Sequence, residues 1–168
     1  EVQLEAQPRQ EIFEEMLQSG AAEEQAAYAA AWSGGSPAQA RQILADEQLA
    51  DIRSHAEAIA VRLSTKRNPS MYLMEQDFLA AGKRMPEMLY ALASLFADAA
   101  LWPCETEVLK NPDCKKTIAL LAQNFTLVQL QRIMELLNQR CERKLRFPQL
   151  RDDLMLKSLI FDILEVKA

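Results

Sequence analysis

The stretch TLVQLQRIMELLNQRCERKL, residues 126–145, decides the fold class. Thr126 is suited to cap a helix, because its hydroxyl can accept a hydrogen bond from the first turn. Leu127, Leu130, Ile133, Met134, Leu137, Cys141 and Leu145 then recur at intervals of three and four, holding one face for five turns. A strand would scatter those same residues over both of its faces.

The same period extends in both directions. Downstream, Pro148 is placed to start a last helix carrying Leu150, Leu154, Leu159, Ile160, Ile163 and Leu164. Upstream, a helix is expected over 113–123, after a loop from Cys104 to Asp113 that contains Asn111-Pro112. Pro86 opens a further helix with Leu89, Leu92, Leu95, Phe96 and Ala99 on one stripe, ended by Trp102-Pro103. Met71 to Ala81 is a shorter helix stopped by Gly82, and Ile52, Ile59 and Leu63 mark another that ends before Asn68-Pro69. These make a bundle of five or six helices over 50–168.

Residues 1–49 read as a separate unit of three short helices. Pro8, Ile12, Phe13, Met16, Leu17 and the stop Gly20 define the first, near 8–19. The second runs from Ala21 to Ser33, with Tyr28 and Trp32 one turn apart. In Ser33-Gly34-Gly35-Ser36-Pro37 a glycine can take the left-handed position that ends a helix, while Ser36 caps the third helix and Pro37 fits its first turn. That helix is expected to reach Leu49. Gly is scarce at 4 residues, and β-branched alternation is rare, so the expected class is all-α.

The net charge of −5 gives no reason to expect DNA binding by bulk electrostatics. The charge is uneven, with seven Glu and one Arg in residues 1–25. Residues 126–151 hold Arg132, Arg140, Arg143, Lys144, Arg146 and Arg151 against Glu135 and Glu142. Cations close to a helix C-terminus are favoured by the macrodipole, and no aromatic residues interleave as single-strand binders require. Solvation or a subunit contact is the better reading of that group.

Cys104, Cys114 and Cys141 are odd in number and form no CxxC, which fits reduced thiols and a cytoplasmic protein. No apolar run is long enough to span a bilayer, and no signal peptide is evident. The chain begins at Glu1 rather than Met and is expected to be a piece of something longer. Catalytic, cofactor-binding and metal-binding motifs are missing: there is no GxxxxGK[ST] and no GxGxxG. The single histidine, His55, cannot supply the ligand sets of metal sites. Asp152 and Asp153 are expected as first-turn acids. No enzymatic activity and no cofactor are expected of this chain.

The stretch from Leu17-Gln18-Ser19-Gly20 through Trp32-Ser33-Gly34-Gly35-Ser36-Pro37 resembles the helical lid of the clamp-loader AAA+ family, most of all its delta-prime type. Met88 to Asp98 resembles the family's collar helix that ends in an aspartate. Leu130 to Leu145 resembles its long penultimate helix, and Pro148 to Leu164 its leucine-rich final one. The motor subunits (gamma or tau) place an arginine two residues after the serine of this turn, where this chain has Ala38, and Arg41 does not take that role. The lead-in to the last helix reads Leu145-Arg146-Phe147-Pro148 instead of the family's Asn-rich sequence.

The resemblance implies a lid over 1–49 and a collar over 50–168, with the nucleotide-fold domain lying before Glu1. It puts Ser36, Pro37 and Ala38 near a neighbour's nucleotide site. It implies gamma or tau and delta as partners, DNA only indirectly through the complex, and no membrane or small-molecule substrate. Arg140, Arg143, Lys144 and Trp102 are the candidate subunit contacts, with Met134 and the last helix as further apolar candidates. The competing readings are a gamma or tau fragment, an unrelated helical adaptor, and an enzyme acting through His55, Asp152 and Asp153.

Overall fold

Met85–Leu101 is apolar on nearly all sides, a pattern that belongs at the centre of a helical protein. In the computed structural model of the chain, which describes residues 6–65, 69–102 and 108–167, that segment is the axial helix. Among the described residues nine α-helices follow one another: α1 (Arg9–Gln18), α2 (Glu23–Trp32), α3 (Pro37–Ala45), α4 (Glu47–Thr65), α5 (Met71–Leu79), α6 (Met85–Leu101), α7 (Lys115–Asn124), α8 (Leu127–Arg146) and α9 (Asp152–Lys167). Short 3-10 turns at Gly82–Arg84 and Pro112–Cys114 lead into α6 and α7. No strand occurs among the described residues, so the fold is all-α.

Buried side chains form two clusters. The smaller joins Ile12 and Met16 of α1 to Ala26, Ala29 and Ala30 of α2 and Ala40 of α3. Alanines on α2 let three short helices approach closely around two larger side chains. The larger cluster runs from Ile52 to Ile163 through α4–α9, with Phe78, Phe96, Met88, Leu89 and Leu92 fully buried. Around α6 lie α4, α7 and α8, and α9 lies across α8 and α5. Gln129 at the start of α8 bonds Val166 O near the end of α9 at 3.0 Å, and Arg140 farther along α8 reaches Ser158 and Asp162 of α9. These contacts make the α8–α9 pair antiparallel.

Several boundaries differ from the sequence reading: the second helix starts at Glu23 rather than Ala21, the seventh at Lys115 rather than residue 113, and three more shift as well. The third helix ends at Ala45 rather than Leu49: Asp46 leaves the helical region, and its Oδ1 accepts the Leu49 N–H at 2.9 Å. It thereby caps α4, which starts at Glu47, before the expected break at Ala50. The apolar spacing Ile43, Leu44, Leu49 hides that break because it is compatible with one continuous helix. The fifth helix ends at Leu79, two residues early. The last helix starts at Asp152, not Pro148, since Pro148–Arg151 are held in a turn described below.

The glycine turn is as expected: Gly34 and Gly35 have φ of 59° and 87°. At Gly35 there is also a close approach. A Cβ there would lie 2.5 Å from Ala6 Cβ, and Gln7 N donates to Gly35 O at 2.9 Å. The expected break before Asn68 and the position of Cys104 fall outside the described residues. Cys114 is buried and Cys141 is half-buried, both as free thiols. Burial pushes both upward in pKa, with Asp113 and Glu142 respectively adding to the effect. No helix of the described residues is long and apolar enough to cross a membrane.

Candidate functional site

The α8–α9 corner gathers the basic residues that the sequence singled out. Its scaffold is α8, started by a complete capping box: Thr126 Oγ1 accepts from Gln129 N, and the Gln129 side chain accepts from Thr126 N at 2.9 Å. Leu130, Ile133, Leu136 and Leu137 are buried, and Met134 and Cys141 pack half-buried against the same core. The ends of the expected stripe are outside: Leu127 is 54% and Leu145 64% exposed.

The cations have different roles. Lys144 is 9% exposed, and its ammonium donates to Pro148 O at 2.8 Å and Leu150 O at 2.9 Å and pairs with Asp152 Oδ1 at 2.7 Å. One lysine thus closes the turn between two helices. This capture is why the last helix begins at Asp152: carbonyls bound to Lys144 are withdrawn from helical pairing. Arg140 pins α8 to α9 through Asp162 at 2.7 Å and Ser158 at 3.1 Å. Arg143 is exposed, and its side chain makes no ion pair or hydrogen bond with the described residues. Of the expected subunit contacts, then, Arg143 alone is uncommitted. Trp102, the fourth, sits at the end of α6 with its ring half-buried against the larger core.

The Ser36 turn lies on the smaller cluster. Ser36 caps α3 by accepting from Gln39 N at 3.4 Å, Pro37 is the first helical residue, and Ala38 faces solvent. Arg41 is engaged with Glu15 of α1.

What the sequence reading missed is the seam between the clusters. Asp98 is 2% exposed and accepts from Lys110 N at 3.0 Å, Asn111 N at 2.7 Å and Asn111 Nδ2 at 2.9 Å, while Asn111 Nδ2 also reaches Ser94 Oγ at 3.0 Å. The pinned loop then offers Lys110 O to Trp32 Nε1 of α2 at 2.9 Å. Trp32 stacks edge-on against Tyr90 of α6, with centroids 5.2 Å apart. Lys110 Nζ donates to the Tyr90 hydroxyl at 3.1 Å.

Two more latches cross the seam. Arg53 of α4 lies over the Tyr28 ring, 3.1 Å from its centroid, and bonds Asp113 at 2.5 Å. Arg84 holds Asp46 through two hydrogen bonds of 2.9 and 2.8 Å and also binds Glu87. The bond from Arg84 and the capping N–H of Leu49 lower the Asp46 pKa below its ordinary value. Burial pushes the Tyr28 phenol up to about 12 against the opposing pull of Arg53. The signal available in sequence was the Tyr28–Trp32 spacing on one face, which pointed to a packed face without naming its partner.

The groups considered for catalysis have structural partners of their own. His55 Nδ1 lies 3.0 Å from Asp77 Oδ1 of α5, which also binds Arg62. Asp152 engages Lys144 and Asp153 engages Arg151, both in the first turn of α9 as expected. Among the described residues no three His, Cys, Asp or Glu side chains converge as a metal site would require.

No curated protein sequence matches the chain. The family model described as DNA polymerase III, delta subunit, C terminal matches residues 47–165. Its first matched residue is the first residue of α4, and the match runs through the larger cluster almost to the end of α9. By a match over more than half its length, the chain belongs to the family of the C-terminal region of the DNA polymerase III delta subunit.

Proposed function

We propose that this chain is the lid and collar part of a bacterial clamp-loader subunit of the delta-prime type. In this reading residues 1–49 are the lid and the remainder is the collar, which assembles with gamma or tau and delta subunits to load the sliding clamp during replication. The part has no catalytic role of its own and works in the cytoplasm. The observation that carries the reading is the family match over α4–α9, preceded by a small three-helix unit with its own core. That match supports a clamp-loader role and names delta. Support for delta-prime comes from the resemblance of the lid turn and from Ala38, which stands where motor subunits carry arginine.

A structural role suits the distribution of charge and packing. The seam between the clusters is held by a buried aspartate network and by arginine latches, which keep helices rigid for neighbours to grip. The test is reconstitution: the chain mixed with purified gamma or tau and with delta, followed by size-exclusion chromatography with light scattering. Co-elution as a stoichiometric complex is expected with both partners present. Separate elution at micromolar concentrations would refute the assignment. Co-elution in place of gamma or tau, rather than beside it, would make the chain a motor-type subunit.

A further inference from the structure

We propose that the groove where α8 meets α9, floored by Leu150, Leu154 and Met155 and edged by Arg140, Arg143 and Arg151, docks a short acidic segment of a protein partner that carries apolar side chains. The groove encloses about 470 Å³. Its charge is one-sided, since among the described residues three guanidinium groups line it and no carboxylate does. Two of them are partly spent, Arg140 on Asp162 and Arg151 on Asp153, while the Arg143 side chain has no partner among the described residues. A carboxylate entering the groove would pair with Arg143 in a charge-assisted hydrogen bond.

The apolar part of the surface specifies the rest of the occupant. Leu154 is 59% exposed, and Phe161, seven residues on and therefore on the same side of α9, is 55% exposed. They stand about 10 Å apart along the helix axis, from the rise of 1.5 Å per residue. A polyproline-II segment, rising about 3.1 Å per residue, covers nearly that distance in three residues, and its three-fold period brings the side chain back to the same side. The fitting partner thus has two apolar side chains three positions apart, with carboxylates around the first. A single nucleic-acid strand fits less well, because no aromatic side chain lines the groove for base stacking and the chain as a whole is acidic.

This surface stands on geometry and does not depend on the delta-prime assignment, so failure of the reconstitution above leaves it in place. The test uses the whole chain and a fluorescein-labelled octapeptide of sequence DELDEFDE, read by fluorescence anisotropy at low salt. Saturable binding is expected. Arg143→Glu and Leu154→Asp should each weaken it by about tenfold or more, and DESDESDE should bind comparably weakly. Both substituted residues are exposed, and unchanged circular dichroism and melting will show that the variants fold. No saturable binding overturns the proposal, as does equal binding of DESDESDE, which would reduce the groove to a charge effect. Tighter binding of oligothymidylate would assign the groove to nucleic acid. Self-association of the unmodified chain that Arg143→Glu abolishes would make the occupant a second copy.

Discussion

Lys144→Met tests whether one ammonium closes the turn between α8 and α9. Methionine keeps the length and apolar character of the stem but removes all three donors. The lysine makes two bonds to main-chain carbonyls and one ion pair, with its side chain 10% exposed and that of Asp152 29% exposed. Hydrogen bonds to a charged group contribute about 1.5–3 kcal/mol each, and desolvation of the buried ammonium offsets part of the sum. Asp152 and the carbonyls can recover some hydration once the lysine is gone. The expected net loss is about 2–3 kcal/mol, or a fall of about 4–12 °C in melting temperature for a chain of this size.

Urea denaturation followed by circular dichroism gives the loss, and hydrogen exchange localises it. Protection should fall first at residues 147–155 and spread least to α6. Arg143→Met, one position away and exposed, is the control and should stay within about 0.5 kcal/mol. A double-mutant cycle of Lys144→Met with Asp152→Asn should return a coupling of about 1 kcal/mol, smaller than either carbonyl contribution because Asp152 keeps access to water. If Lys144→Met and Arg143→Met are indistinguishable, the turn is held by packing alone and the reasoning fails.

Asp98→Ala leaves the N–H groups of Lys110 and Asn111 without their acceptor and the Asn111 amide with Ser94 Oγ alone, and should cost about 3–4 kcal/mol in a urea titration. Its effect should include loss of the tryptophan fluorescence signature of Trp32, which bonds Lys110 O. Gly35→Ala meets both a positive φ and the Ala6 backbone, and should lower stability by about 1–3 kcal/mol in the same titration. Tyr28 supplies a pH dependence. Its neutral form is favoured in the folded state, so its contribution is complete below the ordinary phenol value of 10.0 and is lost as the pH rises towards about 12. Phenolate absorbance should therefore keep rising well above the ordinary phenol value as Tyr28 ionises, together with weakening stability above about pH 10. Phenolate absorbance complete at the ordinary phenol value would refute the buried placement of Tyr28.

The fold was legible wherever apolar spacing and punctuation agreed. The Ser36-Pro37 start, the Gly34-Gly35 turn and the Thr126 cap each combine a side chain with a backbone requirement that few other residues meet. The errors arose where a side chain overrode the local pattern. Pro148 has good credentials as a helix start, yet Lys144 four residues earlier draws the carbonyls of Pro148 and Leu150 to itself and delays α9 to Asp152. Asp46 sits inside a permissible helical period, yet it leaves the helix because its carboxylate is held by Arg84, 38 residues away, and by the Leu49 N–H. Neither capture is periodic, so neither shows in a reading of spacing.

The same distinction separates the residues of the candidate surface. Three basic groups near one helix end, Arg140, Arg143 and Lys144, looked equivalent in sequence, and only three-dimensional partners sort them into a turn staple, a helix clamp and a free charge. Lys144 and Arg140 spend their charge inside the protein, where replacing them changes stability. Arg143 spends none, so replacing it should change only what the surface binds. This divides the two kinds of experiment cleanly. A variant at Lys144 that lost a partner would report an altered turn, whereas one at Arg143 that lost a partner, with melting unchanged, would report the contact itself.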